Sequence, residues 1–150
     1  MGRTLDTQDF LDFVCSMLQE GRTDVPIPVM GQSMVPFLHN SDTVFLSLPN
    51  RPLKKGDIVL YQRNSGRYIL HRICKIRKDG SLIMVGDAQQ ERELIPSQEQ
   101  VRAIVTSVIH RDKPCTPKSL RWWLYSHVWL WLRPLRYPLM GLRGLFSHKK

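Results

Sequence analysis

Between residues 25 and 110 the chain is broken into short apolar runs separated by turn-forming residues, and this punctuation restricts the fold more than any other feature. The runs fall at 25–30, 43–48, 57–63, 67–77, 81–85 and 101–110, and they are rich in Val, Ile, Leu and Tyr. Such residues fit a pleated, half-buried surface. Asn64-Ser65-Gly66 and Lys78-Asp79-Gly80 separate three of the runs, at positions where Gly accepts a positive φ at little cost. Turns that short can join only antiparallel neighbours. The pattern predicts a mainly β domain over 25–112, with no internal repeat.

Ahead of this domain, residues 7–20 place Phe10, Phe13, Val14, Met17 and Leu18 at spacings of three and four. That is the apolar stripe of an amphipathic helix, with Asp6 or Thr7 as N-cap and Gly21 as the stop. The segment 1–24 is therefore expected to form an N-terminal helix packed on the β body. Asp6, Asp9 and Asp12 make it unlike the apolar region of a cleavable signal or a membrane span.

Behind the domain the composition changes. Pro114 and Pro117 predict a linker at 113–118, because proline continues neither a ladder nor a helix. The net charge of +9 is unevenly placed: 15 Lys/Arg face 13 Asp/Glu up to Pro117, whereas Lys118 to Lys150 carry seven Lys/Arg and no acid. The segment 119–150 also holds all four tryptophans. Its uncharged run from Trp122 to Leu132 has 11 residues, against the roughly 20 that a helical span needs. Two roles stay open for this Trp-rich helical segment. It can lie on an anionic membrane surface through its cations and tryptophans, or its tryptophans can cover the β domain or a dimer interface. Nucleic acid is not an expected partner, since the aromatics form a hydrophobic face and not spaced stacking platforms.

Cys15, Cys74 and Cys115 are odd in number and widely spaced, with no CxxC pair or Cys/His cluster. They read as reduced thiols, with neither metal nor cofactor expected. The expected location is the cytoplasm, with the tail as the means of peripheral attachment to a membrane.

The chemistry concentrates around Val29-Met30-Gly31-Gln32-Ser33-Met34-Val35-Pro36. A serine at a glycine-containing strand exit can present its hydroxyl, although many such serines only bond local backbone. As a nucleophile it needs a base. Of the five histidines, His71 interrupts the apolar strand Tyr-Ile-Leu-His-Arg-Ile-Cys, an expensive place for an idle imidazole. A satisfied structural histidine remains the alternative from these residues alone.

Four blocks in order, Gly31-x-Ser33-Met34-x-Pro36, Lys55-Gly56-Asp57-Ile58-Val59, Leu70-His71-Arg72-Ile73 and Gly86-Asp87, resemble the signal peptidase I and LexA-like serine protease clan. The resemblance implies a β catalytic core in which Ser33 attacks a peptide carbonyl of a peptide or protein substrate. It aligns His71 with the position that holds a Lys base in most bacterial relatives, as in the endoplasmic-reticulum type of signal peptidase. A His base gains from an acid that holds its tautomer. Family spacing favours Glu93 for that role, with Asp87 left open and Glu91 nearby. Gly31 replaces the Ser that often helps bind the oxyanion, which would then rest on backbone N–H groups, including that of Ser33. An imidazole at its ordinary pKa would give a pH–rate profile rising near neutrality. The alternative function is a non-catalytic or self-processing regulatory or protein-binding module of the same fold.

Overall fold

The computed structural model describes residues 6–135. Residues 1–5 of the N-terminal segment and 136–150 of the cationic tail lie outside the described residues. Helix α1 spans Thr7–Gln19. It buries Val14, Cys15 and Leu18 and rests Phe10, Leu11 and Met17 against the body. Phe13, expected in the stripe, is 60% exposed, because the buried face is centred on Val14 and Leu18 and Phe13 falls beside it.

Eight strands follow: β1 (Val25–Pro28), β2 (Thr43–Ser47), β3 (Ile58–Gln62), β4 (Tyr68–Ile76), β5 (Leu82–Val85), β6 (Arg92–Ile95), β7 (Val101–His110) and β8 (Lys113–Cys115). Every pairing is antiparallel, in the order β1-β2-β7-β3-β4-β5-β6, with β8 added to β7. The chain is thus mainly β, as its punctuation requires. Two strands depart from the sequence reading. Arg92-Glu93-Leu94-Ile95 forms β6 although half of it is charged, since β5 offers it a ladder. Lys113-Pro114-Cys115, expected within a linker, forms β8. An edge strand tolerates Pro114 because a residue whose N–H would face away from the ladder loses nothing by lacking it.

The sheet encloses two apolar clusters. One joins α1, β1, β2, β7, Met34, Phe37, Leu38 and Trp122. The other lies on the opposite side of β3 and β4 and contains Val59, Tyr61, Ile73, Leu82, Met84, Ile95 and Ile104. Register shifts at Phe45/Leu46, Leu60/Tyr61 and Ile73/Lys75 bend the strands around these clusters.

The C-terminal helix α2 (Leu120–Trp123) begins at Ser119, whose Oγ accepts from the Trp122 N–H, and runs on into a π-helical turn over Leu124–Trp129. Its inner face is part of the body. Trp122 is buried edge-on against Phe37 at 5.4 Å, and Arg121 donates to the Phe37 carbonyl. The π-turn sets Ser126 against Gly56, whose φ is +96° and where a Cβ would lie 3.0 Å from the Ser126 Cβ.

A buried ion pair ties these pieces together. Arg72 donates to both Asp87 carboxylate oxygens at 2.8 Å, and both side chains are wholly inaccessible. The same guanidinium donates to the Gly56 carbonyl and to Ser126 Oγ and lies over the Phe37 ring at 5.0 Å. Removing one partner of such a pair strands the other charge, at about 3–5 kcal/mol. Asp87→Asn is therefore expected to lower the unfolding free energy by about that amount. Arg51→Ala opens the Arg51–Asp57 pair, whose Arg side chain is 40% exposed and whose Asp keeps the Lys54 N–H as a donor, and should cost less than Asp87→Asn. Parallel urea unfolding curves test the contrast, and equal effects would contradict it.

Candidate active site

A cleft of about 1120 Å³ runs between the start of α1, the exit of β1 and the exposed ends of β4 and β6. Ser33, His71 and Glu93 all line it, together with Gln8, Met30 and Arg63.

Ser33 stands in the turn that follows β1. Gly31 enters that turn at φ +86°, a conformation that costs glycine nothing. Met34, Phe37 and Leu38 are buried just downstream and anchor the loop, while Ser33 itself stays half-exposed. From the other side the Ala88 N–H donates to the Ser33 carbonyl at 2.9 Å. A Cβ on Gly86 would come within 2.6 Å of that carbonyl oxygen and 2.8 Å of Gln89 Oε1. The Gly-Asp block is thus a docking surface for the serine turn, and glycine is needed there for space.

The other polar residues reach the cleft by strand alternation. His71 on β4 pairs with Val59 on β3, so Ile69, His71 and Ile73 share a face with Val59, Tyr61 and Arg63. On β6, Glu93 pairs with Met84 and shares that face as well. The Tyr61 hydroxyl donates to Glu93 Oε2 at 2.7 Å and lies 3.3 Å from His71 Nδ1. Arg63 closes a fork on the same carboxylate, with Nε to Oε1 at 2.7 Å and Nη2 to Oε2 at 2.9 Å. From β3 to β6 is three strand steps, about 14 Å on a flat sheet, so this contact reports a strongly coiled sheet.

Burial pulls the His71 imidazole down to about 4; the Glu93 carboxylate opposes this and the Arg63 guanidinium adds to it. Burial pushes the Glu93 carboxyl up, but the hydrogen bonds from Arg63 and Tyr61 outweigh it and hold the group below the usual carboxylate range. Burial and the Glu93 carboxylate push the Tyr61 phenol up, so it stays protonated.

The structure therefore brings Ser33, His71 and Glu93 to one cleft. It places the Asp87 carboxylate elsewhere, on Arg72, whose side chain leaves β4 on the face opposite to His71. Glu91 lines the cleft and is exposed. Ser33 and His71 are not hydrogen-bonded to each other among the described residues. His39 and His110 sit together at 5.2 Å beside Asp42, outside the cleft lining. Tyr61 and Arg63 were missed from the sequence. Their signal was available: Tyr61 shares the parity of Val59 along β3, Arg63 continues that parity just past the strand end, and a buried phenol needs a partner.

Comparison with known proteins identifies one family model, Peptidase S24-like, which matches residues 3–108. The chain belongs to the Peptidase S24-like family. Neither the curated proteins nor the solved structures gave a match. The matched region spans α1 to most of β7 and includes all four sequence blocks. Membership in this family, to which the LexA and signal peptidase I proteins are related, points to serine-peptidase or self-cleaving chemistry on a peptide or protein substrate.

Gly86→Ala tests how the serine turn is held. The added Cβ must displace the Ser33 carbonyl, so stability should fall by about 1–3 kcal/mol, as for other overpacked sites. Thermal unfolding measures the effect, and an unchanged stability would contradict the docking role of this glycine.

Proposed function

We propose that this S24-family protein is a serine endopeptidase that cleaves a peptide or protein precursor through an acyl-enzyme, with Ser33 as nucleophile, His71 as general base and Glu93 as its supporting acid. What carries this reading is the convergence of the three in one cleft, with His71 buried and neutral. As Ser33 Oγ attacks the substrate carbonyl, His71 Nε2 takes its proton and then delivers it to the leaving amine. Water cleaves the ester by the same route. Backbone N–H groups of the Ser33 turn serve the oxyanion. The separation of Ser33 and His71 in the free protein suits a pair that closes on substrate.

The low pKa of His71 has two consequences. At pH 7 an imidazole of ordinary pKa is already about three-quarters neutral, so further depression adds little free base. It does lower proton affinity, and the ionised Glu93 compensates as the imidazolium forms.

Ser33→Ala and His71→Ala should each reduce hydrolysis of a fluorogenic peptide library by more than about 10³-fold, with the double variant scarcely worse. In the wild type kcat/KM should climb with pH through about 4 and stay level through neutrality. This replaces the near-neutral limb that an exposed imidazole would give. Full activity of Ser33→Ala would refute the assignment. A second reading, a regulatory or protein-binding module that is non-catalytic or cleaves only itself, is supported by the self-cleaving chemistry of the family. Mass spectrometry of the purified chain, incubated without added peptide, separates it from action on other chains.

We further propose that the protein is cytoplasmic and attaches peripherally to anionic membrane. The inner face of the C-terminal helix packs on the body, but Leu120, Trp123, Leu124, Trp131 and Leu135 remain 71%, 50%, 40%, 76% and 57% exposed. No Asp or Glu follows Asp112, so every charge that this segment itself carries is cationic, which with its exposed apolar residues fits anionic headgroups. Among the described residues no helix is long and apolar enough to cross a membrane. Vesicles containing phosphatidylglycerol should shift tryptophan emission to the blue, and added salt or Trp123→Ser with Trp131→Ser should abolish the shift. Phosphatidylcholine vesicles should have no effect. Indifference to anionic vesicles at low salt would exclude this attachment.

A further inference from the structure

We propose that Tyr61 is a positioning residue that passes the influence of Glu93 to His71 and sets the tautomer in which His71 Nε2 is free to accept the serine proton. The inference deepens the assignment of His71 as base and rests on it only for its catalytic meaning.

Glu93 and His71 do not meet directly. Between them stands one buried phenol, with Oη 2.7 Å from Glu93 Oε2 and 3.3 Å from His71 Nδ1. Tyr61 is completely inaccessible, so water offers its oxygen no substitute. A phenol has one proton to donate. Glu93 is ionised and only accepts, and Arg63 fixes both of its oxygens. The Tyr61 proton must therefore point at Oε2. Turned toward His71, it would leave two lone pairs facing each other across 2.7 Å.

With that proton directed to the carboxylate, Tyr61 Oη presents only a lone pair to His71 Nδ1. The hydrogen bond then requires Nδ1 to carry the imidazole proton, which leaves Nε2 bare. As Nε2 gains a proton in the reaction, Nδ1–H becomes a cationic donor, and its bond to Tyr61 strengthens along with that from Tyr61 to Glu93. No proton leaves Tyr61 at any stage. The carboxylate acts at one remove.

Nitrogen NMR of the imidazole, with the protein labelled at histidine and no substrate present, reads the tautomer directly. In the wild type at pH 7 His71 should carry its proton on Nδ1. Tyr61→Phe keeps the ring in the core and removes the oxygen, so the tautomer should become mixed. Glu93→Ala, at a residue whose side chain is 30% exposed, provides a second test that spares the core. It frees the Tyr61 proton to donate to Nδ1, and the His71 proton should move to Nε2. Hydrolysis of the fluorogenic peptide library by Tyr61→Phe should lose about 10- to 100-fold in kcat at unchanged KM, a part of what general-base help supplies. A wild-type proton on Nε2, or a tautomer indifferent to both substitutions, overturns the role of Tyr61. The expected tautomers without any peptide hydrolysis would leave this relay standing and overturn the catalytic assignment instead.

Discussion

Arg72 is the residue on which the rest of the structure depends. Its guanidinium is wholly buried and satisfied by Asp87, Gly56, Ser126 and the face of Phe37. Through Phe37 it holds the loop that carries Ser33. Asp87, its partner, sits between Gly86 and Ala88, the two residues that receive the Ser33 carbonyl. Ser126 brings in the C-terminal helix, and Trp129 Nε1 donates to the Asp87 carbonyl from that helix. Apolar residues of similar volume could equal the pair in stability. They could not fix three separate segments by direction as the hydrogen bonds to Asp87, Gly56 and Ser126 do.

The next residue back along β4 faces the other way and has the opposite role. His71 is buried without a charge partner in direct contact, whereas Arg72 is buried with one in full contact. The imidazole stays neutral because burial penalises its charged form, and the guanidinium stays paired because its charge cannot be removed. Strand alternation thus gives adjacent residues two environments: a rigid ionic hub behind the sheet and a polar relay before the cleft.

Much of the fold was legible in the sequence. Six of the eight strands lie where Val, Ile, Leu and Tyr cluster between turn-forming residues, and α1 lies where apolar residues recur at three and four. The failures have specific causes. β6 is half charged, and its strand state comes from the neighbouring ladder rather than its own propensity. β8 contains a proline that an edge position tolerates. Phe13 has the spacing of the stripe but falls outside the face that the sheet covers. Of the cleft residues, Ser33 and His71 stand in the ordered blocks, and Glu93, outside them, was only favoured over Asp87 by family spacing, while Tyr61 and Arg63 resembled ordinary residues of an apolar strand and its turn.

The sequence alone determined the antiparallel β character, the glycine turn before Ser33 and the cationic, acid-free tail. Each of these is local: propensity, positive φ and charge act within a few residues. Tertiary structure alone decided that Glu93 and not Asp87 stands near His71, that a tyrosine lies between them, and that Trp122 belongs to the core. The first two outcomes depend on how far the sheet coils, because coiling brings Glu93 of β6 to Tyr61 and Arg63; the third depends on the C-terminal helix meeting Phe37. Coiling comes from bulges and from the packing of two apolar clusters, and no short stretch of residues encodes it.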